Sequence, residues 1–173
     1  MQIRAAAPAE FGDVLSFYNA LIDAMRDAPF RPGWEKGVYP TEAFIRASLR
    51  SGELFVGLSG GRIIASMVVN HACADGYDAI SWGVQTSAEE VSVIHALGVS
   101  PACQGQGLAR QMVLEAVRTA RENRQKAVRL DVLASNLPAQ KLYSSLGFQY
   151  RDTVQLYYED TGLTDFLLYE LVL

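Results

Sequence analysis

The chain has 173 residues, of which 50% are hydrophobic and 20% are charged, and its mean hydropathy is +0.08. This length and composition fit a single domain over residues 1–173 and exclude a disordered, collagen-like or coiled-coil chain. Fifteen Lys and Arg against nineteen Asp and Glu give a net charge of −4, which lacks the positive excess that binding to nucleic acid or to an anionic membrane requires. A small cationic molecule is the electrostatically easier partner.

The sequence carries no signal for a membrane span, for export or for a metal site. No apolar stretch is long enough to cross a bilayer, and the polar start of the chain differs from a signal peptide, so we expect a cytoplasmic protein. Cys73 and Cys103 are the two cysteines, and neither belongs to a CxxC pair or a Cys/His cluster. The sequence therefore predicts neither a disulfide framework nor a structural zinc site.

The N-terminal part of the chain predicts one strand and two helices. Residues 2–6 form a short strand candidate, and apolar residues recur at helical spacing from about 8 to 26. A second short helix is predicted from about residue 41, and Gly52 ends it. Between the helices, residues 27–40 contain three prolines and two glycines, which predicts a loop. The large aromatic side chains of this loop indicate that it covers a pocket.

The rest of the chain alternates between strands and helices. The Gly60-Gly61 pair between two apolar runs predicts a tight antiparallel hairpin, because glycine adopts the positive φ angles that such a turn requires. A helical crossover links the strands at 91–99 and 128–133, so these two strands are predicted to be parallel within a mixed sheet. The elements predicted after residue 52 are strands at 53–58, 62–70, 91–99, 128–133, 148–158 and 165–173 and helices at 108–122 and 138–146.

The strongest local signal lies in residues 99–109, where a strand ends at Pro101, the chain passes Gly105 and Gly107, and a helix begins. The first N–H groups of a helix have no partners, the helix dipole adds partial positive charge, and glycines leave room for phosphate groups. The dinucleotide-binding pattern fails because Arg110 stands where its third glycine belongs, and no P-loop pattern can be written here. The junction therefore predicts a phosphate-bearing ligand of another kind.

Two longer patterns extend this signal over about residues 91–150. The first is Gln104-x-x-Gly107-x-Ala109, preceded by Leu97-Gly98-Val99-x-Pro101. The second consists of Leu130-Asp131-Val132, Asn136, Ala139, Leu142-Tyr143 and Leu146-Gly147-Phe148. Together they resemble the two signature motifs of the GNAT superfamily of N-acetyltransferases. The resemblance implies a GNAT-like α/β (α+β) fold, with a mixed, mostly antiparallel sheet, a splayed parallel pair of central strands and flanking helices.

The resemblance also implies that acetyl-CoA is the co-substrate and indicates where it binds. Its pantetheine arm would follow the splayed strands, whose unpaired backbone groups can bind it like an added strand. Gly98 is expected to mark the β-bulge that opens this edge, and an N–H near Leu97 is expected to hold the thioester oxygen. Asn136 has two compatible roles, as the N-cap of the next helix and as a cofactor contact. The predicted cofactor residues are Leu97, Gly98, Val99, Gln104, Gly105, Gln106, Gly107, Leu108, Ala109 and Asn136.

The proton-transfer groups follow from the chemistry of the amine, because an alkylammonium group has a pKa of about 10.4 and must lose its proton. His95 is the first candidate base, since the string His95-Ala96-Leu97-Gly98-Val99 resembles that of arylalkylamine N-acetyltransferases and an unperturbed histidine titrates near neutral pH. Asp131 is the second, because it occupies the place where the superfamily's ribosomal-protein N-terminal acetyltransferases carry a catalytic Glu. Glu89 and Glu90 could act through water. Tyr143 is the predicted acid that gives a hydrogen bond or a proton to the departing thiolate.

Aromatic and acidic side chains are the candidates for the acceptor pocket. Its predicted aromatic walls are Trp34, Tyr39 and Trp82. Four acidic residues make the same side negative, which favours a cationic acceptor over an acidic one. These are Asp75, Asp78, Glu89 and Glu90.

The predicted function is transfer of an acetyl group from acetyl-CoA to a small-molecule primary amine by direct attack in a ternary complex. An acetylated Cys103 is the less favoured route. Two alternatives stay open: a protein N-terminal or lysine acetyltransferase that uses Asp131, and a non-catalytic module that binds acetyl-CoA. The presence of both His95 and Tyr143 argues against the silent module, because binding alone requires neither group. The last two strands are also candidates for pairing in a homodimer.

Overall fold

The computed structural model describes residues 1–30, 32–74 and 76–173. The helices are α1 (Phe11–Met25), α2 (Glu42–Arg50), α3 (Leu108–Glu122) and α4 (Leu137–Ser145). The strands are β1 (Gln2–Ala5), β2 (Leu54–Ser59), β3 (Arg62–Asn70), β4 (Val91–Val99), β5 (Ala127–Leu133), β6 (Gln149–Tyr158) and β7 (Gly162–Val172). Their order along the chain is the predicted one. The last strand begins three residues earlier than expected, because β6 and β7 stay paired up to Tyr158 and Gly162 beside the turn.

The strands form one seven-stranded sheet in the order β1-β2-β3-β4-β5-β7-β6. Every neighbouring pair is antiparallel except β4 and β5, which confirms the predicted mixed sheet. The parallel pair is short, since only Val91–Val93 of β4 pair with Ala127–Arg129 of β5. Beyond that register the two strands separate, which leaves a slot between their carboxyl ends.

The helices cover the two faces of the sheet, and strand alternation decides which residues face which helices. Met67 of β3 packs in a cluster with Met112 and Val113 of α3. Its neighbour Val68 packs in the opposite cluster, with Val14 of α1 and residues of α2. The slot therefore opens between two well-packed layers. No helix in the described part of the chain is both long and apolar enough to cross a membrane.

A β-bulge interrupts β4 where the slot begins. Ser66 of β3 pairs with Gly98 and Val68 with His95, so one residue of β3 faces two residues of β4, Ala96 and Leu97. The bulge thus lies just before Gly98, not at Gly98 as the sequence had indicated. Gly98 serves close packing instead, because a Cβ added there would lie 2.5 Å from Leu21 Cδ2 of α1.

Candidate active site

A cavity of about 820 Å³ occupies the slot between β4 and β5. Its walls come from both strands, from the start of α3, from α4, from the loop between α1 and α2 and from the β6–β7 hairpin. Most of the residues singled out from the sequence lie in this one cavity. They are Trp34, Tyr39, His95, Leu97, Gly98, Val99, Gln104, Gly105, Gly107, Leu108, Ala109, Asp131, Asn136 and Tyr143.

One end of the cavity is a cradle of main-chain amides at residues 104–109. Gly107 is the N-cap of α3 with φ of +74°, and no side chain caps the helix start. A Cβ at Gly105 or Gly107 would meet no atom within 4 Å, so the glycines leave open space in front of the first helical N–H groups. Arg110, in the first turn of α3, adds a positive charge to the lining. These features fit the diphosphate of a coenzyme A thioester.

Two other predicted cofactor residues, Asn136 and Gln106, differ in how they lie relative to the cavity. The Asn136 side chain accepts a 3.3 Å hydrogen bond from the Ala139 N–H, so it is the N-cap of α4 while it also lines the cavity. Gln106 is exposed and is not among the lining residues, so any contact with a ligand there would come from its main chain.

His95 lines the cavity, and one of its ring nitrogens has no hydrogen-bond partner. Its Nε2 is buried and has no hydrogen bond, whereas the ring does hydrogen-bond to the backbone of Ala72. Burial lowers the pKa of His95 from 6.5 to about 4, and the Ala72 hydrogen bond only partly opposes this. Because the imidazole is neutral at pH 7 and donates to the backbone, Nε2 carries the lone pair.

Asp131 lies on β5, within the same cavity, and two phenols hydrogen-bond to it. Tyr77 donates to Oδ1 at 3.0 Å and Tyr158 to Oδ2 at 3.5 Å. The sequence had offered no partner for this carboxylate, because Tyr77 lies 54 residues before it and Tyr158 27 residues after it. Burial raises the pKa of Asp131, and the two phenol hydrogen bonds oppose that rise. The carboxylate is a partly desolvated negative charge that a cation would stabilise.

Tyr143 of α4 is buried, and its ring packs against Phe148 and Tyr169. Burial raises the pKa of Tyr143, and the nearby charge of Asp131 raises it further. The phenol therefore keeps its proton at neutral pH, so Tyr143 can donate a hydrogen bond through its hydroxyl hydrogen there.

The far end of the cavity is aromatic and acidic. Trp34 and Tyr39 make an edge-on ring contact with centroids 6.1 Å apart. The loop that carries them meets the β6–β7 hairpin, because a Cβ at Gly33 would lie 2.6 Å from Thr161 Cγ2. Asp160 of the same hairpin also lines the cavity, and burial raises its pKa. Apart from Arg110 at the cradle, the described lining residues include no Arg or Lys.

Trp82 is not a wall of this cavity. It is 9% exposed, its indole N–H donates to the Tyr77 carbonyl at 2.7 Å, and the guanidinium of Arg129 stacks 4.1 Å above its ring. Arg129 in turn forms a 3.0 Å ion pair with Glu170, which is fully buried and also accepts 2.9 and 2.6 Å contacts from Arg151 and the Gly83 N–H. The tryptophan therefore anchors the segment before β4 to the sheet. In doing so it positions the neighbouring Tyr77 against Asp131.

The predicted acidic residues near β4 also differ from expectation. Glu90 forms a 2.6 Å ion pair with Lys126 and a hydrogen bond with Thr86, and these contacts lower its pKa to about 2. Neither Glu89 nor Glu90 lines the cavity. Asp78 is exposed outside it, and Asp75 lies outside the described residues. The acidic character of the acceptor end comes from Asp131 and Asp160 instead.

Comparison with known proteins gives three matches of different extent. The model of the acetyltransferase (GNAT) family matches residues 18–148. The N-alpha-acetyltransferase RimI of Mycobacterium tuberculosis is 34% identical over 125 residues, which cover 72% of this chain and 70% of that protein. A mycothiol acetyltransferase of Acidothermus cellulolyticus is 41% identical over 69 residues, but these cover 40% of this chain and only 21% of that longer protein.

A solved acetyltransferase structure has a similar fold. A Salmonella typhimurium acetyltransferase structure, solved with its cofactor acetyl-CoA, superposes with a TM-score of 0.71. It is 20% identical, and the match covers 99% of this chain and 93% of the other. The family match, the splayed strand pair and the amide cradle agree with one another. The chain therefore belongs to the acetyltransferase (GNAT) family, whose enzymes use acetyl-CoA as co-substrate.

Proposed function

We propose that this protein transfers the acetyl group of acetyl-CoA to the primary amine of a small cationic molecule. The observation that carries the proposal is the joining, within one cavity, of the amide cradle at 104–109 to an acidic end that holds His95 and Asp131. Amides at a helix start favour phosphate groups, and carboxylates favour an ammonium group. The two substrates would thus be drawn to opposite ends of the same slot.

His95 is the proposed base. Its Nε2 is buried, lacks a partner and stays unprotonated at neutral pH. A free ammonium has no lone pair and would not give its proton to an imidazole with a pKa of about 4, so the amine loses its first proton to solvent. The nitrogen becomes strongly acidic once the freed lone pair bonds to the carbonyl carbon. His95 therefore accepts the proton as the new bond forms, after Asp131 has attracted the cation into the pocket.

Acetyl-CoA supplies the acetyl thioester, so that the amine nitrogen bonds to the carbonyl carbon while the carbon–sulfur bond breaks. Tyr143 then gives a hydrogen bond or its proton to the sulfur, because its raised pKa keeps the phenol protonated. Direct attack fits this arrangement, since the candidate base and acid line the same cavity as the cradle. No acetylated Cys103 is required.

The close approach of two loops at the acceptor end favours a small amine over a polypeptide. The backbone at Gly33 lies close to Thr161 of the β6–β7 hairpin, and Thr161 and Asp131 both line the cavity. A peptide substrate would have to pass these loops with its chain extended. The second candidate, an N-terminal protein acetyltransferase, is supported by Asp131 and by the 34% identity to an N-alpha-acetyltransferase.

The release of free thiol tests both candidates. The protein is mixed with acetyl-CoA and, separately, with monoamines, diamines and peptides that have free N-termini. We expect thiol release with small amines and little with peptides, and the reverse pattern would favour the second candidate. Binding of acetyl-CoA without release under any of these conditions would contradict both.

A further inference from the structure

A tyrosine beneath the cavity holds the bulge of β4. Tyr18 lies on α1, is 1% exposed and donates a 2.8 Å hydrogen bond to the Ala96 carbonyl. Its oxygen also lies 3.1 Å from the hydroxyl of the buried Ser66. A phenol has one hydrogen and a carbonyl can only accept, so the Tyr18 proton goes to Ala96 and Ser66 donates to the phenol oxygen. The carbonyl at the bulge is thereby fixed to α1.

The residue so held has a backbone conformation that an L-residue disfavours. Ala96 has φ of +49°, and within the described ranges Arg124 is the only other non-glycine residue with a positive φ. Such a conformation persists only where the surroundings impose it. The hydrogen bond from Tyr18 is the polar contact that imposes it at Ala96.

The same contact sets the direction of the next amide. The peptide bond between Ala96 and Leu97 is trans, so its carbonyl and its N–H point in opposite directions from one rigid plane. Because the carbonyl points to Tyr18 on α1, the Leu97 N–H points away from α1. Leu97 and Gly98 both line the cavity, whereas Tyr18 does not.

We propose that Tyr18 is a positioning residue, whose hydroxyl holds the Ala96–Leu97 peptide so that the Leu97 N–H can bind the thioester oxygen of acetyl-CoA. This inference takes one thing from the proposed function, namely that the acetyl thioester binds beside Leu97. Tyr18 touches no substrate and acts through the bulge alone.

The Tyr18→Phe variant removes the hydroxyl group and keeps the packing of the ring. The ring of Tyr18 packs against Phe17 and Trp34 with centroids 5.3 and 5.9 Å away, and phenylalanine keeps both contacts. Tyr169→Phe is the matched control, because Tyr169 is 5% exposed but does not line the cavity. Adding Ala96→Gly to Tyr18→Phe removes the cost of the positive φ, since glycine adopts that angle freely.

The test follows the bound thioester itself, using acetyl-CoA labelled with carbon-13 at the carbonyl. In the wild type, the carbonyl resonance and stretching frequency should shift on binding, as expected for a polarised C=O. In Tyr18→Phe we expect both signals to return most of the way to their free values, while the Kd for coenzyme A stays within about twofold. Ala96→Gly in that background should restore part of the shift. Acetyl transfer should fall between about ten- and a hundredfold in Tyr18→Phe, which is less than the roughly 100- to 1,000-fold cost of removing an oxyanion donor, because the Leu97 N–H is misaligned and not removed.

The outcomes separate this inference from the function proposed above. Normal binding by every variant with an unchanged carbonyl signal in Tyr18→Phe would overturn the role of Tyr18 and leave the function intact. An equal change in Tyr169→Phe would also overturn it. A wild type that does not bind acetyl-CoA would overturn both. If Tyr18→Phe does not fold, Ser66→Ala replaces it and must move the signal in the same direction.

Discussion

The two ends of the cavity are built in different ways. The cofactor end uses main-chain amides of one continuous segment, residues 104–109, with two glycines that keep the space in front of them open. The acceptor end uses side chains from four separate parts of the chain. These include Trp34 before α2, Tyr77 before β4, Asp131 on β5 and Tyr158 on β6.

This difference has a consequence for the proposed function. A diphosphate bound by backbone groups requires a segment of fixed local shape, which a short sequence motif can specify. An amine is selected by the position of carboxylates and aromatic rings, which many substitutions can move without disturbing the cradle. Variants at the two ends should therefore alter the binding of different substrates.

Replacement of His95 should have the largest effect, because this residue lies between the two ends. His95→Ala is expected to lower kcat by about 100-fold at pH 7, the lower range for loss of a general base. The loss should shrink at high pH, where hydroxide can take the second proton from the amine nitrogen in place of His95. The pH profile of kcat with an accepted amine measures this, with His71→Ala as the exposed control. An equal loss at every pH would contradict the base role.

A substitution in the amide cradle should have the next largest effect, and it should weaken the binding of coenzyme A. Gly107→Val places a β-branched side chain at φ of +74°, which lowers the stability of the free and the bound protein alike by about 2 kcal/mol. The same side chain projects into the space for the phosphates, and this steric block opposes binding. We expect the Kd for coenzyme A to rise by at least about 30-fold. Calorimetry with coenzyme A checks this without any amine present. An unchanged Kd would exclude this segment as the phosphate site.

A substitution at the acceptor end should have a smaller effect, and it should change the binding of the amine and not that of coenzyme A. Asp131→Asn keeps the shape of the side chain and an accepting oxygen for one of the two phenols, but it removes the negative charge, so KM for the amine should rise about tenfold. The Kd for coenzyme A should not change. Asp152→Asn, an exposed site outside the cavity, controls for net charge. A parallel rise in both constants would show that the two ends are not independent.

The smallest expected effect concerns stability. The folded pKa of His95 is about 4 and its ordinary value is 6.5, so the unfolded chain binds the proton first as the pH falls. The free energy of unfolding therefore decreases below pH 6.5 and continues to decrease down to about pH 4. From pH 7 to 5.5 the wild type should lose about 1 kcal/mol more than His95→Gln. Urea unfolding at the two pH values measures the difference, and equal losses would contradict the burial of this ring.

The sequence predicted the order of strands and helices well because that order depends on local hydrophobic periodicity. Gly105 and Gly107 lie in open space before α3, as the local pattern indicated, and the anion site at this segment stays a prediction. The partners of Asp131 could not be predicted, since Tyr77 and Tyr158 reach it only through the folded sheet. Trp82 shows the same limit: an aromatic residue in a polar segment looks like a pocket wall until its stacking with Arg129 is known. The bulge was expected at Gly98, because glycine usually marks such a site, but the positive φ lies at Ala96, whose carbonyl accepts a hydrogen bond from Tyr18.

The buried carboxylate of Glu170 has a consequence for local opening of the chain. Detachment of the segment around Gly83 would leave this carboxylate without one of its hydrogen bonds, in a place that water does not reach. Fluctuations that expose the segment should therefore be rare, and the Gly83 amide should exchange its hydrogen almost as slowly as the central strands. The segment that carries Tyr77 is then held rigidly behind Asp131.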